Sequence, residues 1–260
     1  EPNNRETMKI VYCAYGTAGI KCLEKLMSTF YVSQILIFTH NVNGNEEFIK
    51  YLKTNKFNFF LSNINNFQTK IKHFKPDFLL SVYYRTIIDI GIINLVNNYA
   101  MNLHPSLLPA YRGAKSSVWA LLNNEKETGI TFHYMNETID SGNIILQEKI
   151  YILSDDTAYS IYHKLINLFT LNFIKAFNLM IDGYNGIKQE GEASYYSRSL
   201  PFGGRVKISE VNFKEASQFV KAMHFPPYKG AIFEINKNLD VEIHSTNALI
   251  KLFKKNDICI

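Results

Sequence analysis

The chain has 260 residues and a formal net charge of +5, and 47% of its residues are hydrophobic while 20% are charged. This composition excludes a disordered chain, and the length predicts one large domain or one domain with a small appendage. The positive excess suits a phosphorylated ligand, but it lacks the clustering that marks a nucleic-acid-binding surface.

Short apolar runs alternate with helical patterns up to about residue 190. Strands are predicted over residues 9–15, 32–39, 57–61, 78–82, 100–103, 130–135 and 144–152, and helices over residues 19–27, 46–53, 67–73 and 158–181. Near-continuous apolar strands between helices are typical of a mostly parallel sheet with helices on both faces. The remaining residues predict a helix over 212–223 and a small antiparallel unit.

We therefore predict an α/β fold with two parts. Residues 8–190 form a Rossmann-like domain with a mostly parallel sheet, and residues 191–260 form a small C-terminal subdomain with a helix and antiparallel strands. Residues 1–7 are polar, precede the first apolar run and take no part in this prediction.

The cysteines and the length of the apolar segments indicate in which cellular compartment the protein works. The three cysteines are too scattered for a disulfide framework and have no zinc-ligand spacing, so we expect a reducing, cytoplasmic environment and no metal. No apolar run reaches the roughly 18 residues of a membrane span, so we expect neither a secretory signal nor a membrane partner.

The loop after the first strand contains Gly16-Thr-Ala-Gly19, where a dinucleotide-binding fold has its glycine-rich loop. The G-x-G-x-x-G spacing is missing, and the second strand ends in Thr39-His40 instead of an acidic residue. We therefore interpret the two glycines as a tight turn and do not expect NAD.

The densest motif is Asn102-Leu-His104-Pro-Ser-Leu-Leu-Pro-Ala-Tyr-Arg-Gly113, directly after a predicted strand. Asn102 and His104 alternate to one face of an extended segment at the carboxyl end of the strand, where open α/β sheets place ligands. With no Ser or Cys nucleophile beside it, this pair suits direct acyl transfer. The amide donates to a developing oxyanion, and the imidazole accepts a proton from an attacking amine.

A carboxylate completes this set of side chains. Asp140 lies in a polar turn between two predicted strands and precedes Ser-Gly142. Taken alone, this pattern is typical of turn chemistry. Beside Asn102 and His104, a carboxylate that orients His104 or relays protons to it is the better interpretation.

Three segments together resemble one enzyme family. They are similar to the formyltransferases that use 10-formyltetrahydrofolate, which include methionyl-tRNA formyltransferase, glycinamide ribonucleotide formyltransferase and the sugar-nucleotide N-formyltransferases. The segments are Asn102–Gly113, Glu127–His133 and Asp140–Ile145. The resemblance covers about residues 8–190.

The resemblance implies 10-formyltetrahydrofolate as the co-substrate and assigns the family's catalytic residues to Asn102, His104 and Asp140. In the family, the pterin enters a pocket between the loop after the fourth strand and the turn that carries the catalytic Asp. The residues that this implies for folate contact are Ser81, Val82, Tyr83, Ile87, Met135, Thr138 and Ile139.

The segment Tyr83-Tyr84-Arg85 resembles the sugar-nucleotide branch, because the tRNA branch usually has Ala-Tyr-Gly there. Tyr84 and Arg85 either contact the acceptor or are a half-buried aromatic and an exposed Arg at a strand end, and both interpretations stay open. The full set implied for acceptor contact is Tyr84, Arg85, Ser106, Arg112, Gly113 and Lys115. The two cations near the motif would attract a pyrophosphate, although a surface charge explains Lys115 equally well.

Two histidines outside the motif receive simpler interpretations. His40 resembles a loop residue of enzymes that act on dTDP-linked amino sugars, but a polar turn residue is the preferred interpretation. His133 alternates with Tyr134 in a predicted strand, and we interpret it as a structural histidine.

Residues 191–260 also resemble the sugar-nucleotide branch more than the tRNA branch. They are shorter than the second domain of the tRNA enzyme, and their basic residues are interleaved with acids, which argues against binding a nucleic acid. The segments 194–198 and 225–231 resemble the part that follows the catalytic domain in sugar formyltransferases. We interpret them as a remnant cap and a dimer contact.

The sequence thus predicts formyl transfer to the amine of a nucleotide-linked amino-dideoxy sugar, with dTDP-4-amino-4,6-dideoxyglucose as the expected acceptor. The product would serve a surface polysaccharide such as the lipopolysaccharide O-antigen, and we expect a homodimer. Methionyl-tRNA formyltransferase and a non-catalytic folate- or nucleotide-binding module remain as alternatives.

Overall fold

The computed structural model describes residues 5–256, 258 and 259. Most of its strands belong to one seven-stranded sheet, and a two-residue strand, β6, pairs outside it. The first eight strands are β1 (Ile10–Ala14), β2 (Ile35–Thr39), β3 (Asn58–Leu61), β4 (Phe78–Val82), β5 (Ala100–His104), β6 (Arg112–Gly113), β7 (Glu127–Tyr134) and β8 (Ile144–Tyr151).

The large sheet has the strand order β3-β2-β1-β4-β5-β7-β8. β1 pairs parallel with β2 and β4, β2 with β3, and β4 with β5, whereas β7 pairs antiparallel with β5. The predicted mostly parallel sheet is confirmed. The strand order reverses between β1 and β4, and such a switch point opens a crevice at the carboxyl ends of the strands.

The helices of the described residues vary from one turn to more than six. They are α1 (Gly16–Leu26), α2 (Glu46–Thr54), α3 (Gln68–Phe74), α4 (Ile90–Ile93), α5 (Ser116–Leu122), α6 (Ala158–Ile181), α7 (Phe213–Met223) and α8 (Thr246–Lys255). α4 and α5 were not predicted, and α4, with four residues, is too short to show a helical repeat of apolar positions.

The core of the sheet lies along β1, β2 and β4, whose residues are all buried. This burial explains their continuous apolar sequence, since strands covered on both faces need no polar alternation. Phe38 is fully buried, and its ring lies 5.4 Å from the rings of both Phe60 and Phe67. α1 buries Cys22 and Leu26 on one face.

α1 begins at Gly16, three residues before the predicted start. Gly16 has a φ of 64°, which favours glycine, and its N–H donates to the side-chain oxygen of Asn45 at 2.9 Å. Asn45 is completely buried and also donates to Thr39 Oγ1 at 2.9 Å. A side chain from a distant loop therefore accepts the hydrogen bond of the first N–H group of α1. The sequence around Gly16 does not indicate this contact, so the helix start was predicted too late.

The described residues form two compact units. The first unit contains the residues up to His104, Ile130–Glu148 and Ile166–Glu192, and the second contains Pro105–Gly129, Lys149–Leu165 and the residues from Ala193 onward. The division into domains at residue 190 stays a prediction.

The second unit contains a three-stranded sheet made of β10 (Arg205–Lys207), β11 (Ala231–Asn236) and β12 (Leu239–Ile243), and β9 (Tyr195–Tyr196) precedes these strands. β11 pairs antiparallel with β12, as predicted, and parallel with β10. The predicted helix at α7 is confirmed, and a capping box between Asn212 and Glu215 starts it. α8 was not predicted, although Ser245 Oγ accepts from Ala248 N at its start.

α6 has 24 residues and is the one helix among the described residues whose length and composition would allow it to cross a membrane. The prediction that no apolar run reaches this length is therefore wrong. Phe169, Phe173 and Phe177 on α6 are buried, and Phe169 packs edge-on against Phe132 at 5.4 Å. Because the core helix of a globular protein has the same features, the helix is weak evidence for a membrane span.

Asp156 is buried just before α6 and gives a testable stability prediction. Its carboxylate accepts from Lys164 Nζ at 2.7 Å, from Ser160 Oγ at 2.6 Å and from Leu153 N at 2.9 Å. Burial by itself raises the pKa of Asp156, but the hydrogen bonds from Lys164, Ser160 and Leu153 outweigh it and leave the pKa below its usual value.

A carboxylate with a lowered pKa stabilises the fold above its unfolded pKa, near 3.8, and loses this contribution as the pH falls through the folded value. We expect Asp156→Asn to lower the free energy of unfolding by about 2 kcal/mol at pH 7, and the difference from the unmodified protein to shrink below about pH 4. Urea denaturation at pH 7 and at pH 3 measures both values. Glu127→Gln, which breaks the exposed pair with Lys149, is the control and should leave the stability unchanged. A constant difference at both pH values would contradict the assigned role.

Candidate active site

Asn102 and His104 lie at the carboxyl end of β5, as predicted, and their alternation places both side chains on one face. The sheet register brings two more polar residues beside them. Ser81 of β4 pairs with Asn102 on one side, and His133 of β7 lies directly opposite Asn102 on the other. Directly opposite residues of an antiparallel pair share a face of the sheet, so His133 faces the same way as Asn102.

Asp140 sits in the turn between β7 and β8 with a φ of 53°, in the left-handed region. Gln189 holds this turn from outside, because its Nε2 donates to the carbonyl oxygens of Asp140 and Gly142 at 2.8 Å each. Gly142 lies so close to β7 that a Cβ there would be 1.8 Å from the carbonyl oxygen of Tyr134. The turn is thus built around a glycine and closed by an amide side chain.

The three residues predicted as catalytic meet in one cluster. Asp140 Oδ2 lies 3.3 Å from His104 Nδ1, and Asp140 Oδ1 lies 3.4 Å from Asn102 Nδ2. The side chains of His104 and Asp140 are only 4% and 9% exposed. In a site with so little water, a carboxylate beside an imidazole fixes the orientation of the ring and favours a proton on the near nitrogen. This arrangement suits general base chemistry at the far nitrogen, Nε2.

Two residues that contact the predicted catalytic residues were not predicted as part of the site. His133, interpreted there as structural, has its Nε2 at 3.4 Å from Asp140 Oδ1 and at 3.2 Å from Asn102 Nδ2. Gln189, to which the sequence patterns assign no role, donates a hydrogen bond to the Asp140 carbonyl oxygen and so stabilises the turn. The signal for His133 was its position across an antiparallel pair from Asn102, and that pairing is not visible in either strand alone.

The residues predicted to contact folate lie at the ends of β4 and β7, within the first unit. Ser81 and Val82 are buried at the end of β4, and Tyr83 follows with a φ of 55° and its ring edge-on to Phe169. Ile87 and Ile139 are 64% and 46% exposed. The remaining two are Met135, which packs against the core beside β4, and Thr138, whose carbonyl accepts from Ser141 in the Asp140 turn.

Tyr84 and Arg85 occupy different environments. The Tyr84 hydroxyl donates to Ser62 O at 3.2 Å and accepts from Ile64 N at 3.1 Å, and burial raises the pKa of Tyr84 to about 12. Its ring stacks on His40 with centroids 4.4 Å apart. Arg85 is exposed, and its guanidinium lies 5.2 Å from the centre of the Tyr15 ring. Tyr84 thus anchors a loop, whereas Arg85 presents its charge to solvent.

The other residues predicted to contact the acceptor belong to the second unit. Ser106 is buried, and its hydroxyl donates to Ala110 O at 2.7 Å. Arg112 donates to the Tyr195 hydroxyl, and its guanidinium lies over the Tyr195 ring. Gly113 has a φ of 91°, and a Cβ there would be 2.3 Å from Tyr196 O. Lys115 has a φ of 58° and immediately precedes α5.

β6 and β9 explain how Arg112 is held within that unit. The two strands pair in parallel, Arg112 N donates to Ser194 O at 2.8 Å, and Ala114 N donates to Tyr196 O at 2.9 Å. The segment interpreted as a remnant cap therefore supplies the backbone partners of this loop. Its predicted role as a dimer contact stays a prediction.

Similarity to known proteins identifies the family. A sequence profile described as formyl transferase matches residues 41–175. The GDP-perosamine N-formyltransferase of Brucella melitensis is 36% identical over 241 residues, which cover 90% of this chain and 90% of that protein. The chain belongs to the formyltransferase family.

Solved structures share the fold of this formyltransferase. A 4-N formyltransferase from Francisella tularensis matches with a TM-score of 0.76 and 22% identity, covering 91% of this chain and 96% of that one. An N-formyltransferase from Helicobacter canadensis, in complex with folinic acid and dTDP-3-aminofucose, matches with a TM-score of 0.72 and 22% identity, covering 89% and 85%. The 36% identity to the Brucella relative places the chain in the sugar N-formyltransferase branch, as an enzyme that transfers formyl groups.

Within residues 5–256, 258 and 259, no group of three or more His, Cys, Asp or Glu side chains is arranged to hold a metal ion. Ile87 and Ile139 are exposed and Met135 is partly buried against the core, and the folate contact of these residues stays a prediction.

Gly142 gives a direct test of the Asp140 turn. We expect Gly142→Ala to lower kcat of the formyltransferase by about 100-fold, because the added methyl group meets the Tyr134 carbonyl and must displace the turn that carries Asp140. Gly91→Ala is the control, since its Cβ would meet only the end of the Gln68 side chain at 3.2 Å. Steady-state kinetics of both variants measure the difference, and equal kcat values would contradict the tight turn.

Proposed function

We propose that this enzyme transfers the formyl group of 10-formyltetrahydrofolate to the amine of a nucleotide-linked amino-dideoxy sugar. The observation that carries the proposal is the buried cluster of Asn102, His104 and Asp140 at the carboxyl end of β5, in a member of the sugar N-formyltransferase branch. An amide donor, an imidazole base and an orienting carboxylate are the groups that direct transfer to an amine needs, and no nucleophilic side chain is required.

In the proposed reaction, the unprotonated sugar amine attacks the formyl carbon, and the carbonyl oxygen becomes an oxyanion. Asn102 donates a hydrogen bond to this oxygen, which stabilises the tetrahedral intermediate more than the planar substrate. The new carbon–nitrogen bond makes the amine nitrogen positive, and His104 Nε2 accepts its proton. The bond between the formyl carbon and the folate nitrogen then breaks, and the proton that His104 accepted passes to that nitrogen, with the assistance of Asp140, as tetrahydrofolate leaves.

Asp140 supports both stages of this scheme. Its Oδ2 faces His104 Nδ1, so the neutral ring carries its hydrogen on Nδ1 and keeps Nε2 as the base. When His104 takes up the amine proton, the same carboxylate stabilises the resulting imidazolium. Because His104 is buried, this stabilisation acts in a medium where charge interactions are stronger than in water.

For the acceptor, we propose dTDP-4-amino-4,6-dideoxyglucose. The Tyr83-Tyr84-Arg85 segment supports the sugar-nucleotide class, and the Helicobacter canadensis structure was solved with a dTDP-linked amino sugar. A second acceptor, GDP-perosamine, is favoured by the 36% identity to the Brucella enzyme that is named for it. In either case the product is an N-formylated sugar nucleotide, which suits the building of a surface polysaccharide such as an O-antigen.

The test is a formylation assay with purified protein and 10-formyltetrahydrofolate. The acceptors offered are dTDP-4-amino-4,6-dideoxyglucose, its 3-amino isomer, GDP-perosamine, a UDP-linked 4-amino sugar and methionyl-tRNA, and mass spectrometry detects the added formyl group. We expect the highest kcat/KM with the first acceptor. Faster formylation of methionyl-tRNA would replace the proposal with the tRNA function, and folate binding without transfer to any amine would indicate a non-catalytic module.

A further inference from the structure

His133 is buried in β7, with 2% of its surface exposed, and its two ring nitrogens have different partners. Nδ1 lies 2.8 Å from the carbonyl oxygen of Tyr134. A carbonyl oxygen only accepts hydrogen bonds, so the hydrogen of the neutral ring belongs on Nδ1. Nε2 then carries a lone pair and acts as an acceptor.

Two acceptors therefore face the carboxamide of Asn102. His133 Nε2 lies 3.2 Å from Asn102 Nδ2, and Asp140 Oδ1 lies 3.4 Å from the same atom. With the opposite orientation of the amide, its oxygen would face a carboxylate oxygen and a ring lone pair without any hydrogen between them. Such a contact is repulsive, so the two acceptors together select the orientation with Nδ2 toward the cluster.

The geometry also assigns the hydrogens of Nδ2. Asn102 Nδ2, His133 Nε2 and Asp140 Oδ1 form a nearly equilateral triangle, because His133 Nε2 and Asp140 Oδ1 are themselves 3.4 Å apart. The two acceptors subtend about 60° at Nδ2, whereas the two N–H bonds of an amide diverge by about 120°. One hydrogen is therefore shared between both acceptors, and the second points away from them.

We propose that His133 is a positioning residue that fixes the Asn102 carboxamide, so that one N–H is held by the cluster and the other is directed to the formyl oxygen. This inference rests on the proposed role of Asn102 in the reaction. Without the His133 lone pair, only Asp140 Oδ1 at 3.4 Å would orient the amide. The amide would then spend part of its time with the oxygen toward the substrate, where it repels the developing oxyanion.

Substitutions test the requirement for an acceptor at this position. We expect His133→Leu to lower kcat by about 10- to 100-fold with little change in KM, because the lost orientation matters most in the transition state. His133→Gln should keep kcat within about threefold, since its side-chain oxygen restores an acceptor opposite Asn102. His73→Leu, at an exposed position on α3, is the control. Equal losses in the Leu and Gln variants would overturn the proposal.

A double-mutant cycle tests whether His133 affects kcat through Asn102 or through its contact with Asp140. In an Asn102→Ala background, His133→Leu should change the residual kcat by less than about twofold, while its effect on the unfolding temperature stays the same in both backgrounds. If the full kinetic loss persists in Asn102→Ala and vanishes in Asp140→Asn, His133 acts through the carboxylate, and the proposal is overturned.

A spectroscopic measurement tests the inferred role of His133 without any knowledge of the acceptor. Nitrogen-15 NMR of the imidazole rings in the substrate-free enzyme reports which ring nitrogen of His133 carries hydrogen. We expect hydrogen on Nδ1 and a lone pair on Nε2, and His133→Gln identifies the signal. Hydrogen on Nε2 would overturn the inference even if a sugar acceptor is found. The expected state, with no formyl transfer to any amine, would instead leave the geometry intact and refute the proposed function.

Discussion

Replacing His104 with Gln is expected to lower kcat of formyl transfer by about 100- to 10,000-fold while the protein remains folded. Gln keeps a polar side chain of similar length in the buried site, but it has no basic nitrogen to take the amine proton. His104 is 3% exposed and lies at the end of β5, where its Nδ1 is 3.3 Å from Asp140 Oδ2. Steady-state kinetics with the preferred acceptor measure the loss.

Two further measurements make this result specific. His73→Gln removes an exposed imidazole from the last turn of α3 and should leave kcat unchanged. The unfolding temperature of His104→Gln should stay within a few degrees of the unmodified protein, because a change below about 1 kcal/mol shifts it by only 2–4 °C for a chain of this size. A folded variant with nearly full kcat would refute the role of His104 as the base.

Replacing Asn102 with Ala is expected to lower kcat by about 100- to 1,000-fold, the range seen when one oxyanion donor is removed. KM for the folate and for the sugar should change little, because the lost hydrogen bond forms mainly in the transition state. The substitution also removes the donor that faces Asp140 and His133, but it adds no unsatisfied polar group of its own. Single-turnover kinetics isolate the chemical step from product release.

The control for this variant is Asn66→Ala, which truncates an exposed amide in the 3-10 turn directly before α3. It should leave kcat and KM unchanged. If Asn102→Ala raises KM and preserves kcat, the amide serves substrate binding, and another group must stabilise the oxyanion.

The sequence predicted the parts of the site that depend on local geometry. Asn102 and His104 are two residues apart on one strand, so their common face follows from the strand period alone. The mostly parallel sheet followed from continuous apolar runs, and the burial of β1, β2 and β4 gives the physical reason. Asp140 needed both the residue pattern and the family resemblance, because a lone Asp before Ser-Gly is equally typical of a turn.

The parts that the sequence did not reveal depend on residues far apart in the chain. His133 joins the cluster only because β7 runs antiparallel to β5 in a register that sets it opposite Asn102. Gln189 reaches the Asp140 turn across 49 positions of sequence, and no periodic pattern carries such a contact. α8 was missed although Ser245 caps it and Leu249, Leu252 and Phe253 have helical spacing, because the region was interpreted as an antiparallel unit.

The pairing of β6 with β9 sets a lower limit on how far this enzyme can be shortened. The resemblance to the family's catalytic part ends near residue 190, yet Ser194 and Tyr196 supply the backbone acceptors for Arg112 and Ala114. A chain cut at residue 190 would leave those two N–H groups without their partners and Arg112 without the ring of Tyr195. We therefore expect that a competent enzyme needs residues beyond 190, although the residues proposed as catalytic all precede them.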